Sequence, residues 1–276
     1  MLLSSPHVHT QFCDGSSTAE EMVLSALHHG CQSLGFSSHS RQYFGLDYAM
    51  DSHREQAYIA EIRRLQKQYA GQIRIWLGLE LDLFSCADTA VYDYFIGSVH
   101  CVPDAEGFVD VDGSSKRLLR LIDEKYHGDG LMLAEEYFSL YGAMMRARRP
   151  LIGGHFDLVR KYNQQGRLFD ETAPRYRRAV QSALRAARES GVTLEVNTGG
   201  MARYQAALPY PDSWILREWK DMDGEIILSS DCHRAPDILA GYGQAVLLLQ
   251  QLGYQKARAL GTGNELLVDT PLELEH

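Results

Sequence analysis

No apolar run in this 276-residue chain reaches the ~18 residues that a membrane-spanning helix needs. The N-terminus lacks a basic stretch followed by an apolar core, so no secretory leader is expected and a cytoplasmic location is. There is no CxxC pair. The cysteines are five in number: Cys13, Cys31, Cys86, Cys101 and Cys232. An odd count without a pairing motif argues against a disulfide framework and for a reducing compartment. No Lys/Arg block stands out, and 27 Lys and Arg against 36 Asp and Glu leave a formal charge of −9. That balance argues against a partner as polyanionic as long nucleic acid. The densest basic cluster, Arg146 to Arg149, closes a predicted helix, where cations complement the helix dipole. No GxGxxG follows a strand-like run, so a dinucleotide site is not expected.

What is there is an alternation. Apolar residues make up 45% and charged residues 23%, an ordinary globular balance. Seven strand-like runs occur: PHVHT, SLGFSSH, IRIWLGLELD, YFIGSVH, PLIGGHFD, VTLEVNTGG and EIILSSDCH. Helical segments lie between most of them. SSTAEEMVLSALHHG carries a predicted capping box at Ser17 and Glu20 and ends at Gly30. A second segment ends at Gly71, a third before Pro150, a fourth at Gly191, and a fifth follows the last strand. Repeated βα units predict a parallel sheet. With about seven units and no linker, residues 1–273 are expected to form one domain, a closed or nearly closed (β/α) barrel; an open doubly wound sheet is the alternative. Residues 274–276 are read as an expression-tag remnant. The polar, Gly-rich stretch from Cys101 to about Leu131 is expected to be a loop over the barrel mouth.

The ends of these runs carry the chemistry. The first holds His7 and His9 around one valine, a spacing that puts both rings on one face of a strand, and Asp14 follows. The second ends at His39, the third at Glu80 and Asp82, the fourth at His100, the fifth at His155 and Asp157, and the seventh at Asp231 and His233. Only the sixth, near Asn197, lacks an obvious ligand. In a parallel barrel, the C-terminal strand ends share one face, so these residues would converge. His28, His29, His53 and His127 fall on helices or in the loop and are read as surface residues. Nine candidate ligands (His7, His9, Asp14, His39, Glu80, His100, His155, Asp231 and His233) exceed the three or so protein ligands of one catalytic zinc. They suggest two or three divalent ions, and mixed N/O ligation suits zinc, iron or manganese. Cys13, Cys101 and Cys232 each adjoin a ligand, and are read as buried filler because neighbours on a strand face opposite ways.

The series HxH, FCDG, SH, GLE, GSVH, GGHFD and DCH resembles the PHP (polymerase and histidinol phosphatase) superfamily, most closely its monofunctional histidinol-phosphate phosphatases. The resemblance runs from Pro6 to about Asp237, with HTQFCDG, IGSVH and GGHFDLVRKYN as its most specific pieces. It implies a distorted seven-stranded (β/α), TIM-like barrel with a trinuclear metal centre. By that resemblance one ion takes His7, His9, Glu80 and Asp231. A second shares Glu80 and takes His100 and His155. A third takes Asp14, His39 and His233. The stretch from Cys101 to Leu131 and NTGGMARY depart from the family pattern.

Adjacent divalent ions lower the pKa of bound water and neutralise phosphoryl oxygens in an in-line displacement. The expected reaction is therefore phosphomonoester hydrolysis, and the resemblance implies L-histidinol phosphate as substrate in histidine biosynthesis. Asp231, Asp157 and His233 are the catalytic candidates, with Asp231, Asp157 or a metal-bound water protonating the leaving group. Arg160 and Arg203 are candidates for holding phosphate, because the guanidinium fork pairs with it. Lys161 is read as a surface cation, and Arg41 as a further residue able to reach the mouth. Asp157 is also the candidate partner for a substrate ammonium. Another small phosphorylated metabolite or nucleotide is the alternative substrate. A phosphodiesterase acting on long nucleic acid would want a basic groove with stacking aromatics. An amide-cleaving hydrolase would have no use for the arginines, and a non-catalytic metal-stabilised module would be expected to lose ligands. The expected assembly is a monomer or weak oligomer.

Overall fold

Short apolar runs alternate with helices as the periodicity requires, and each run pairs in parallel with the next. The computed structural model describes residues 1–204 and 206–273; the three residues read as a tag remnant lie outside them. In chain order the elements are β1 (Ser4–Ser5), α1 (Ala19–His28), β2 (Ser33–Phe36), α2 (Ser52–Gln68), β3 (Arg74–Asp82) and β4 (Tyr94–Ser98). A hairpin follows, β5 (Cys101–Asp104) and β6 (Gly107–Asp110), then α3 (Ser115–Tyr126), α4 (Gly130–Arg148), β7 (Ile152–Gly153) and α5 (Pro174–Glu189). The last part holds β8 (Thr193–Asn197), α6 (Gly199–Tyr204), α7 (Ser213–Asp221), β9 (Ile226–Ser229), α8 (Tyr242–Gln251), β10 (Lys256–Leu260) and β11 (Leu267–Pro271).

One sheet takes nine of these strands in the order β1-β2-β3-β4-β7-β8-β9-β10-β11. All its pairs are parallel except β10 with β11. The expected count of seven is therefore corrected to nine, since β10 and β11 extend the sheet beyond the last predicted run. Beyond the strand ladders, Val8 makes a single parallel bridge to Cys232. Leu260 N donates to Ser4 Oγ (3.1 Å), and Ser33 Oγ to the Leu260 carbonyl (2.5 Å).

Two predicted elements sit elsewhere. The capping box of α1 is Thr18 with Glu21, one residue later than Ser17 with Glu20. Ser17 Oγ instead accepts from Ala235 N, and Glu20 accepts from Tyr69 and Gln68 on α2. Thr18 as cap lets Ala19, Met22, Val23 and Ala26 form the buried stripe of α1, and such a cap is worth about 1 kcal/mol. The supposed loop over residues 101–131 is mostly ordered structure: the β5–β6 hairpin and α3, whose Leu118, Leu121 and Ile122 lie at helical spacing and are buried.

Two glycines admit the side chain that positions the first histidines. Tyr94 reaches from β4 across Gly35 and Gly78, where an added Cβ would lie 2.1 Å from its Oη and 2.4 Å from its Cζ. Its hydroxyl donates to the carbonyl of Pro6, the residue before His7. Past a bend at Pro6, Val8 bridges Cys232 and accepts from Ser37 N, which sets His7 and His9 beside the neighbouring strand ends.

Candidate metal centre

The segment after β1 and the ends of β2, β3, β4, β7 and β9 bring all nine predicted ligands together, with Glu80 at the centre. Its Oε2 lies 3.3 Å from His7 Nε2, 3.5 Å from His9 Nε2 and 2.8 Å from His39 Nδ1. Its Oε1 lies 3.2 Å from His100 Nε2 and 2.8 Å from His155 Nε2. Asp231 Oδ1 is 3.1 Å from His9 Nε2 and 3.6 Å from His7 Nε2. Asp14 lies at the open side, 3.4 Å from His9 Nδ1, 3.6 Å from His39 Nε2 and 3.1 Å from His233 Nε2. Three groups of ligand atoms result: His7, His9 and Glu80; His39, Glu80 and His100; and His9, Asp14, His39 and His233.

The donor set fits divalent cations on a physical test. His7 Nε2, His9 Nε2 and Glu80 Oε2 are buried and have no hydrogen-bond partner. A buried unpaired polar atom costs about 1–3 kcal/mol, and a cation among these three would satisfy all of them. Imidazole nitrogens mixed with carboxylate oxygens suit zinc, iron or manganese.

Electrostatics of the buried groups follow from this crowding. Burial alone would lower the pKa of His7, but the charges of Glu195, Asp231 and Glu80 outweigh it and raise it to about 10. Burial opposes ionisation of Glu80, yet His39, His100 and His7 hold it well below the usual carboxylate range. Asp231 is likewise held down against its burial, by Arg203, His7 and His9. Asp231 also has φ +46°, a left-handed conformation uncommon for a non-glycine residue and concentrated at functional sites.

Around the cluster the cavity is lined by Tyr48, Leu158, Tyr204 and Tyr210, by the cations Arg203 and Lys161, and by Asp112. Arg203 is where the sequence placed it. Its Nη2 donates to Asp231 Oδ2 (2.8 Å), and its Nη1 donates to the Asp231 carbonyl and to His233 Nδ1. Arg160 and Asp157 are not among the lining residues. Arg160 donates to Glu171 (2.6 Å), Asp157 (2.8 Å) and Asp212 (2.9 Å), which occupies its whole fork. Asp157 is fully buried, accepting from Arg160 and from Asp212 N. Its carboxyl is pushed up by that burial, although Arg160 pulls the other way. The phosphate and ammonium roles expected for this pair thus meet a closed ion-pair network. Lys161, expected on the surface, lines the cavity instead, with Nζ 2.8 Å from the Asp112 carbonyl. Arg41 turns to Glu55 on α2.

Of the three cysteines read as filler, Cys232 is buried against Met22, and Cys101 donates to Asp110. Cys13 departs from that reading. Its Sγ lies 3.4 Å from His9 Nδ1; burial would raise the thiol pKa, but His9 outweighs it and lowers it to about 7. His28, His29, His53 and His127 are exposed, as expected.

Two carboxylates stand behind the ligands: Asp82, named at its strand end without a role, and Glu195, which escaped the sequence reading. Asp82 Oδ2 accepts from His100 N (2.9 Å) and lies 3.1 Å from His100 Nδ1. Glu195, on the sixth strand-like run, meets His7 Nδ1 at 2.6 Å. The available signal was a single charged residue inside the otherwise uncharged strand TLEVN, all of it buried.

Three comparisons bear on this geometry. The PHP domain family matches residues 5–199. The chain is 29% identical over 266 residues to the histidinol-phosphatase of Bacillus subtilis (strain 168), covering 88% of this chain and 97% of that protein. It is 26% identical over 265 residues to the histidinol-phosphatase of Lactococcus lactis subsp. lactis (strain IL1403), covering 91% of each. Among solved structures, the histidinol phosphate phosphatase of Lactococcus lactis subsp. lactis, complexed with zinc, L-histidinol and phosphate, superposes with a TM-score of 0.67. That match is 23% identical and covers 95% of this chain and 97% of the other.

Proposed function

Since the chain belongs to the PHP domain family, we propose that it is a metal-dependent phosphomonoesterase that hydrolyses L-histidinol phosphate to L-histidinol and phosphate. One observation carries the reading: two ligand groups share Glu80, a third joins them through His9 and His39, and the cluster opens onto a cavity that also holds Arg203 and Lys161. The named activity of the Bacillus and Lactococcus relatives supports the same substrate. The nine-stranded sheet is read as a distorted barrel over residues 1–273, supported by the Val8–Cys232 bridge and the Ser4–Leu260 bond.

Divalent ions held by His7, His9, Asp14, His39, Glu80, His100, His155, Asp231 and His233 would lower the pKa of water and neutralise phosphoryl charge. The chain's own groups supply the rest. Arg203 and Lys161 offer the phosphate two cations beside the cluster. Asp231, held ionised by Arg203, His7 and His9, is not suited to donating a proton to the leaving group. Tyr48, Tyr204 and Tyr210 give the imidazole an aromatic wall.

The substrate ammonium needs a carboxylate that the cluster does not use. Among the described residues lining the cavity, Asp112 is the one that meets this need, and it replaces Asp157 in that role. Phosphate release from L-histidinol phosphate, with zinc or manganese supplied, tests the reading. A kcat/KM of about 10⁴ M⁻¹s⁻¹ or more, well above generic phosphomonoesters, is the expected result. Slow, indiscriminate turnover would move the chain to another phosphoester. Asp112→Asn should raise KM about tenfold for histidinol phosphate, the scale of one charged hydrogen bond. The same variant should leave KM unchanged for a phosphomonoester lacking the ammonium.

A further inference from the structure

Glu195 is fully buried, and its two oxygens receive four donors. Oε1 is 2.6 Å from His7 Nδ1 and accepts from Ser229 Oγ, also at 2.6 Å. Oε2 accepts from His155 N at 2.6 Å and from Asn197 Nδ2 at 3.1 Å. The same Asn197 amide donates to Asp231 Oδ2 at 3.1 Å. One carboxylate therefore touches the ring of His7, the backbone of His155 and, through Asn197, the carboxylate of Asp231. These three residues come from different strand ends, and each faces the cluster with another atom.

We propose that Glu195 is a positioning residue for the metal centre, fixing the His7 tautomer with its proton on Nδ1 and its Nε2 lone pair toward the cation. The inference rests on the reading that the cluster holds divalent ions. In a neutral ring, Nδ1–H donated to a carboxylate leaves Nε2 as the bare nitrogen, the form a cation takes up. His7 Nε2 is buried without a partner and lies 3.3 Å from Glu80 and 3.6 Å from Asp231. Such carboxylate–histidine pairs orient the ring and raise its basicity, and their loss typically costs 10–100-fold in metal affinity. The geometry also explains a glutamate on a wholly buried strand. A buried charge is tolerated where its lone pairs are filled, and here four donors fill them. Glutamine could not replace it faithfully, because its amide nitrogen would face donors from His155 and Asn197.

The test compares wild type, Glu195→Gln and Ser229→Ala after metal stripping, with zinc uptake measured against a competing chelator. Thermal unfolding of the stripped chains is followed in parallel. Wild type should take up zinc. Glu195→Gln should bind it 10–100-fold more weakly and lose more Tm loaded than stripped, and Ser229→Ala should bind it severalfold more weakly with a stripped Tm near wild type. Cobalt loading should give an altered absorption spectrum in Glu195→Gln. Wild-type zinc affinity in Glu195→Gln would overturn the inference, and so would an equal loss of Tm in its loaded and stripped forms, which marks a purely structural role. If Glu195→Gln does not fold, Ser229→Ala decides: weaker zinc binding at unchanged stripped Tm supports the inference, and unchanged binding overturns it. Failure of wild type to bind zinc would instead sink the metal-centre reading itself.

Discussion

Arg160 is held by three carboxylates, and that fixes what its loss should do. It leaves Asp157 buried with a charge that has lost its partner, and breaking a buried pair this way costs about 3 kcal/mol. Arg160→Met should therefore lower the unfolding free energy by about that amount, read as a lower denaturant midpoint, while KM for the phosphate substrate stays within about twofold. A raised KM at unchanged stability would show that the guanidinium reaches the substrate. The motif GGHFDLVRKYN places two cations side by side, and composition does not say which one turns to the cavity. Asp212 and Glu171, distant in sequence from His155, take Arg160 and leave Lys161 to the site. The candidate metal ligands were legible because they sit at strand ends, where backbone direction alone makes them converge. Glu195 was not, because only the partners from three other strands give its carboxylate a task.

At the scale of elements, the β5–β6 hairpin leads directly into Asp112, which lines the cavity. Phe108 of β6 stacks on Phe44, with ring centroids 4.1 Å apart, and leans on Phe84 at 4.6 Å. Aromatic pairs of this kind add about 0.5–1.5 kcal/mol each beyond buried area. Asp112 follows two residues after β6, with its carbonyl held by Lys161 and Tyr162. Phe108→Ala should loosen the hairpin and raise KM severalfold, with a smaller effect on kcat and little on zinc content. A variant with unchanged KM would detach the hairpin from substrate binding. The sequence reading took this stretch for a loop, since its glycines and polar residues mask short elements. The helical spacing of Leu118, Leu121 and Ile122 was the signal for α3. No comparable signal marks β10, whose KARAL is half charged in character and becomes a strand by pairing with β9 and β11.

The whole molecule links metal, proton and stability. In the metal-free chain, the folded pKa of His7, about 10, lies above its ordinary 6.5. The stability this adds is complete below about pH 6.5 and is lost as the pH climbs toward 10. Glu80 and Asp231 are shifted down, so their contribution is present above the ordinary carboxylate range and lost on acidification. A divalent ion needs the histidine rings unprotonated, so its binding strengthens as the pH rises. The gap in Tm between zinc-loaded and stripped protein should therefore widen from pH 6 to pH 9, as measured by calorimetry. A gap that narrows over that range would contradict this account of the cluster.

By itself the sequence determined the alternation of strand and helix, the nine ligands at the strand ends and the likeness to the PHP superfamily. The first two follow from local period and from the direction of a parallel strand, which neighbours in the chain already specify, and the likeness rests on the motifs at those strand ends. Only the tertiary structure decided that Glu195 backs His7, that Arg160 is closed off by Asp157, Glu171 and Asp212, and that Lys161 and Asp112 face the cavity. A charged side chain goes where its charge is best met, and its partners here come from strands and loops far along the chain.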